Sequence, residues 1–282
     1  MATAPHRTRI GISSWSVRYL LGVTYWGLDP AGARPHAPQF GAGSLDLLDL
    51  PGAMVARGYA HLDLCHFHLP RTDDAYLDAL HGRLDAAGVR LLTLLVDEGD
   101  VSNEDDAART RDLAHLQAWV KIAGRLGARH VRIAAGEATA GADDPAITRS
   151  ADGLAALAHE AERYGVGVLT ENWKPLALPP ANLLAILDAT GAAGATVGLV
   201  ADFGNCAGAC KHDDLAAILP RATTAHAKAE FDAAGRMDEA DFRRCLALVR
   251  EAGFAGVHVL IFSGPGDEWD GLARIGAALA KN

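Results

Sequence analysis

Residues 152–173 read DGLAALAHEAERYGVGVLTENW. A run of helical period closes on Gly165, the residue a helix C-terminus favours, and an apolar run then follows that turns polar at Glu171. The phrase recurs. AAGV (86–89), RLGA (125–128), RYGV (163–166) and EAGF (251–254) each mark a helix-to-strand joint, and DLAHLQAWVKIAGRLG (112–127) is another such helix.

Eight strand candidates follow from this rhythm: RIGISSWS (9–16), HLDLCHF (61–67), VRLLTLLV (89–96), HVRIAAG (130–136), GVLTENW (167–173), TVGLVAD (196–202), TAHAKAEF (224–231) and GVHVLIFS (256–263). They repeat about every 30–40 residues, the size of a β-α unit. Most are continuously apolar, as strands buried on both faces are, which implies parallel pairing through right-handed crossovers. An open doubly wound sheet competes, but it usually carries a phosphate-binding glycine loop, and no G-x-G-x-x-G follows the first candidate strand. The expected fold is therefore α/β, a single (β/α)8 barrel domain over residues 1–282 with a long first βα loop. That loop, about residues 17–44, is rich in Gly, Pro and aromatics. It reads either as a surface excursion or as a lid carrying Tyr25, Trp26 and His36 over a pocket.

Composition bounds the partners. Half the residues are hydrophobic and 22% are charged, which fits a well-buried α/β protein. A formal charge of −9 without any Lys/Arg block opposes a nucleic-acid backbone as partner. No apolar run reaches the roughly 18 residues of a membrane span, and the opening MATAPHRTRI lacks the pattern of a secretory leader. The expected location is the cytoplasm, with no membrane partner. Cys65, Cys206, Cys210 and Cys245 are too few for a disulfide framework, and C-x-x-x-C at 206–210 lacks a second ligand pair at zinc spacing. All four are expected as reduced thiols.

In such a barrel, side chains at the carboxyl ends of strands converge on one mouth. Glu171 ends VLTE, Asp202 ends LVAD, and His226, Lys228 and Glu230 lie in TAHAKAEF. A carboxylate straight after an apolar strand is costly to bury without a cation or donors. Glu171, Asp202 and His226 thus form a candidate three-ligand set for one divalent metal, able to polarise an oxygen of a sugar-like substrate; the structural alternative is three hydrogen-bonded strand ends. Lys228, two residues after His226 on the same strand face, is a candidate acid/base or binds an anionic oxygen, unless it pairs with Glu230. Asn205 supports the turn in DFGN. Arg132 either contacts substrate or neutralises nearby acids. His66 and His68, sharing one face if their strand runs on, and Glu98 beside Asp97 after the third strand are candidates to line the pocket. The substrate-binding candidates are His66, His68, Glu98, Arg132, Trp173, Asn205 and Glu230.

The order Glu171, Asp202 in ADFGN (201–205), His226 in HAKAEF (226–231) and then GPGDEW (264–269) resembles the xylose-isomerase-like sugar phosphate isomerase/epimerase superfamily. The resemblance implies a metal-dependent TIM barrel that isomerises, epimerises or dehydrates sugars and polyols. It implies Glu171, Asp202 and His226 as ligands of Mn²⁺ or Mg²⁺, with Co²⁺ or Zn²⁺ as alternatives, and Glu171 also as a base. Members carry a second glutamate on the eighth strand, reading roughly S-I-E-Y-E-G before P-G-D; this chain reads VLIFSG (259–264), so Ile261 stands there. The change removes a ligand, a charge and a candidate base together. Water or substrate then completes a three-ligand site, or Glu230, Asp267 or Glu268 moves in, or metal and turnover are lost.

The leading expectation is a metal-assisted isomerase or epimerase of a sugar, keto-sugar or polyol, abstracting a proton beside a polarised carbonyl, with Glu171 and Lys228 catalytic. A one-base lyase or dehydratase and a non-catalytic sugar-binding barrel are the alternatives. The superfamily's DNA-repair endonucleases fit poorly, because strand-end histidines are too few and the charge opposes DNA. Family habit implies a homo-oligomer.

Overall fold

In the computed structural model, which describes residues 10–28, 34–142 and 144–281, the apolar runs form eight parallel strands. They are β1 (Ile10–Ser13), β2 (His61–Cys65), β3 (Arg90–Val96), β4 (His130–Ile133), β5 (Gly167–Glu171), β6 (Val197–Asp202), β7 (Ala222–Lys228) and β8 (Val257–Ile261). Each pairs with the next in chain order, and β1 closes the ring against β8 through Ile10 with His258 and Ile12 with Leu260. Helices follow the strands: α1 (Leu50–Val55), α2 (Asp74–Ala87), α3 (Asp106–Arg125), α4 (Pro145–Glu162), α5 (Pro180–Ala192), α6 (Lys211–Ile218), α7 (Glu239–Glu251) and α8 (Glu268–Ala280). The closed (β/α)8 barrel expected from the sequence is present.

Local chemistry explains the boundaries. Gly88, Gly127, Gly165 and Gly253, the joint glycines, take φ of 69°, 69°, 69° and 67°. That left-handed turn reverses each helix toward the next strand, and a Cβ would resist it. At the opposite helix ends, Asp73, Asp105, Asp144, Asp238 and Asp267 accept backbone N–H bonds as N-caps of α2, α3, α4, α7 and α8. The main core lies between strands and helices and includes the fully buried Trp119, Phe203 and Phe242. A separate apolar cluster of Leu92, Val259 and Ile261 gathers residues of β3 and β8.

Several strands end sooner than their apolar runs. Beyond Ser13 the chain coils into a 3-10 turn, Ser14–Val17, and beyond Cys65 into another, His66–His68. His66 and His68 therefore do not share a strand face, because a tight turn replaces the two-residue alternation. In the first loop, Thr24–Tyr25 and His36–Ala37 pair as a short antiparallel ribbon. The Glu268 carboxylate accepts the N–H of Tyr19 and of Leu20, each at 3.0 Å, tying this loop to α8. Among the described residues, no helix is long and apolar enough to cross a membrane.

Candidate active site

A cavity of about 210 Å³ opens at the carboxyl ends of the strands. Its polar wall holds Asp97, Arg132, Glu171, Asp202, Asn205, His226 and Lys228; Trp15, Leu95, Trp173 and Ile261 supply apolar surface. The register accounts for the central group. Asp202 and His226 are paired neighbours on β6 and β7, and Glu171 pairs with Val200, one inward step below Asp202.

His226 Nδ1 lies 3.4 Å from Glu171 Oε1 and 3.4 Å from Asp202 Oδ2. Each of the three groups is held by its other atom. Glu171 Oε2 meets Arg132 Nε at 2.9 Å, Asp202 Oδ1 accepts the N–H of Gly204 at 2.7 Å and of Asn205 at 3.0 Å, and His226 Nε2 meets Asp63 Oδ2 at 3.0 Å. Asn205 Nδ2 also donates to Glu171 Oε1 at 3.1 Å. Asn172 braces the edge of β6, accepting Asp202 N–H at 2.8 Å and donating to Asp202 O at 2.9 Å.

Burial shapes the electrostatics. Desolvation disfavours the His226 cation, but Glu171, Asp202 and Asp63 outweigh it and raise the imidazole pKa well above the ordinary value. Burial would likewise raise Asp202, yet His226, Lys228 and the Gly204 N–H hold it below the usual carboxylate range. Arg132, also buried, is kept charged by Asp97 and Glu171, with Asp97 Oδ1 at 2.8 Å.

Residues 52–281 match the family described as Xylose isomerase-like TIM barrel. The chain belongs to this family. Among solved structures, the chain is similar to an L-ribulose 3-epimerase at 18% identity, with 97% of this chain and 95% of that chain covered and a TM-score of 0.69. It is also similar to 3-keto-D-glucoside 4-epimerase from E. coli at 12% identity, with 95% and 99% covered and a TM-score of 0.66. A third is a xylose isomerase-like TIM barrel protein from Mycobacterium smegmatis in complex with magnesium, at 16% identity, 97% of each chain and a TM-score of 0.65. No curated protein sequence matches the chain.

The donor set of this xylose isomerase-like barrel fits a divalent cation. Two carboxylates and an imidazole nitrogen are hard-to-borderline ligands suited to Mg²⁺, Mn²⁺, Co²⁺ or Zn²⁺. One atom from each of the three lies within 4.8 Å of the others, and all three residues are buried. Donors about 2.1 Å from one ion stand roughly 3–3.5 Å apart, as His226 does from both acids. The Asp63 contact adds the outer carboxylate that commonly orients a metal-binding histidine.

Other candidates separate by place. Arg132, Trp173, Asn205 and Lys228 line the cavity together with Glu171, Asp202 and His226. The Lys228 stem crosses Gly204 so closely that a Cβ there would sit 2.6 Å from its Cδ, which gives the glycine of DFGN a steric purpose. Arg132 Cζ also stacks 4.8 Å from the Trp173 ring. The remaining four do not reach the cavity wall. His68 Nδ1 bonds Ser14 Oγ at 2.8 Å, and its ring borders a different hollow beside Tyr25. His66 Nδ1 accepts the Asp97 N–H at 3.3 Å, and its Nε2 lies 3.5 Å from Glu98. Glu98 is held by His115 at 2.6 Å, by Trp119 and by the Gly27 N–H, so it anchors the first loop. Glu230 is exposed, 3.7 Å from Lys211, because β7 ends at Lys228 and the chain has left the mouth.

The lid expectation divides similarly. Trp26 stacks on Phe67 with ring centroids 5.2 Å apart and Tyr25 lies beside His36, but neither these two nor His36 lines the cavity; Trp15, in the 3-10 turn just before the loop, does. Ile261 also lines it and is buried. None of the three candidate acids replaces the absent glutamate: Asp267 caps α8, Glu268 binds the Tyr19 and Leu20 amides, and Glu230 faces Lys211. Asp63 and Asn172 were not among the sequence candidates. The signal for Asp63 was a lone carboxylate in the middle of HLDLC, where an unpaired charge is costly.

Proposed function

We propose that the barrel mouth isomerises or epimerises a sugar, keto-sugar or polyol by moving a proton on the carbon beside a carbonyl. One observation carries the reading: Glu171, Asp202 and His226 each turn one donor atom to a common point while the other atom is tied down. Bound there, Mn²⁺ or Mg²⁺, with Co²⁺ or Zn²⁺ as alternatives, would polarise substrate oxygens and hold two of them in register.

The protein groups divide the remaining work. Glu171, oriented by Arg132, takes the proton from carbon, and the C–H electron pair moves toward the carbonyl oxygen. Lys228, in the same cavity, donates a proton to the oxygen where charge develops; return of a proton to the neighbouring carbon, or to the opposite face, completes the exchange. Trp15 and Trp173 give the sugar ring apolar surface and limit water. The names of the solved neighbours, epimerases of L-ribulose and of a 3-keto-glucoside, support the sugar class.

Ile261 favours a second reading, a lyase or dehydratase, since elimination beside a carbonyl needs one strong base where two-glutamate epimerisation needs two. Incubating the protein with Mn²⁺ and a panel of ketoses in D₂O separates these. Deuterium appearing at the carbon beside the carbonyl, and falling at least about 100-fold in Glu171→Gln, is the expected result. An unsaturated or dicarbonyl product instead selects the lyase. Exchange that is unchanged in Glu171→Gln refutes the assignment of the base.

A further inference from the structure

We propose a second metal site, outside the barrel mouth, formed by His212, Asp241 and Cys245 and suited to a zinc-type cation. It does not depend on the reaction proposed above. The strands position it: α6 follows β6, which carries Asp202, and α7 follows β7, which carries His226. Asp241 and Cys245 stand one turn apart on α7, so both fall on one face. His212, in the first turn of α6, meets that face, with Nε2 3.1 Å from Asp241 Oδ1. One donor atom from each of the three lies within 4.8 Å of the other two.

A surface ion pair alone does not explain the group. Lys211 Nζ, 2.7 Å from Asp241 Oδ2, already gives that carboxylate a cation, yet an imidazole meets its other oxygen and the thiol of the fully buried Cys245 stands within 4.8 Å of both residues' donor atoms. Sulfur, nitrogen and oxygen donors together select Zn²⁺ or Co²⁺ over the hard cations Mg²⁺ and Mn²⁺. The charges also balance. A divalent ion, the Cys245 thiolate and Asp241 sum to zero, while Lys211 is matched by Glu230 at 3.7 Å. Burial closes the Cys245 side, and the half-exposed His212 leaves a fourth position to water. The ion would clamp the first turn of α6 to the first two turns of α7, the helices that follow Asn205 and Lys228 in the chain.

The test exploits sulfur, which the barrel triad lacks. Full-length protein is stripped with a chelator and titrated with Co²⁺ in excess Mg²⁺, following the near-ultraviolet thiolate-to-cobalt charge-transfer band. One equivalent should generate the band in the wild type and in Glu171→Gln, and Zn²⁺ should abolish it. Cys245→Ser should lose it, and His212→Ala should weaken Co²⁺ binding at least tenfold. Absence of the band in the wild type overturns the proposal, as does an undiminished band in Cys245→Ser. Should Cys245→Ser fail to fold, His212→Ala and Asp241→Asn decide, and wild-type Co²⁺ affinity in both overturns it equally.

Discussion

Replacing Asp63 tests whether the barrel triad is built for a cation or only for internal pairing. Asp63 is fully buried in the middle of β2, and its Oδ2 meets His226 Nε2 at 3.0 Å across the barrel. With Nε2 engaged there, Nδ1 is left facing Glu171 and Asp202. Asp63→Asn keeps an acceptor oxygen for the imidazole N–H but removes the charge that makes the ring a stronger donor. Losing such an outer carboxylate typically costs about 10–100-fold in metal affinity, or roughly 1.4–2.8 kcal/mol. Asp63→Ala removes the acceptor as well and leaves a buried N–H unpaired, costing about 1–3 kcal/mol of stability besides. Cation uptake must displace the proton that the three acids hold on His226, so wild-type affinity rises with pH. The variants are therefore compared at the alkaline end, by calorimetric titration with Mn²⁺ alongside urea unfolding. Wild-type Mn²⁺ affinity in Asp63→Asn, or a loss of stability in Asp63→Ala with affinity intact, would refute the ligand-orienting role.

Two further predictions follow from buried groups. His68 stays neutral in the fold, its pKa lowered to about 3 by burial and by His66 and Arg18, whereas the unfolded chain accepts that proton near pH 6.5. Its contribution is thus intact above about pH 6.5 and is lost as pH falls toward 3, amounting to about 2 kcal/mol at pH 5. His68→Gln should flatten the stability curve over that window by a similar amount in urea titrations; an unchanged slope sinks the assignment. Ile261→Glu places a carboxylate on the cavity wall, and Mn²⁺ affinity should rise about tenfold or more while the cation-free protein loses about 1–3 kcal/mol. Calorimetry and unfolding with and without Mn²⁺ read both, and unaltered affinity would show that Ile261 does not face the cation.

Periodicity sufficed where the governing forces are local. Joint glycines end helices because of backbone sterics, and apolar runs become strands because both faces are covered, so residues such as Gly165 and the run before Glu171 declare their state within a few neighbours. The acids ending β5 and β6 were legible for the same reason, as charges adjoining apolar strands. Strand ends were less so: His66 and His68 continue the apolar run of β2 in sequence, but the chain coils there and turns one to Ser14 and the other to Glu98.

By itself, then, the order of residues determined the alternation of helix and strand, the closed barrel it builds, and which polar groups stand at strand ends. Only tertiary structure decided which of those groups meet. Barrel closure brings Asp63 to His226 across 163 residues, the packing of α6 on α7 gathers His212, Asp241 and Cys245, and the end of β7 carries Glu230 out to Lys211. A side chain's secondary structure is set by neighbours in sequence, whereas its electrostatic partner is set by distance in space, which exists only once the ring has closed.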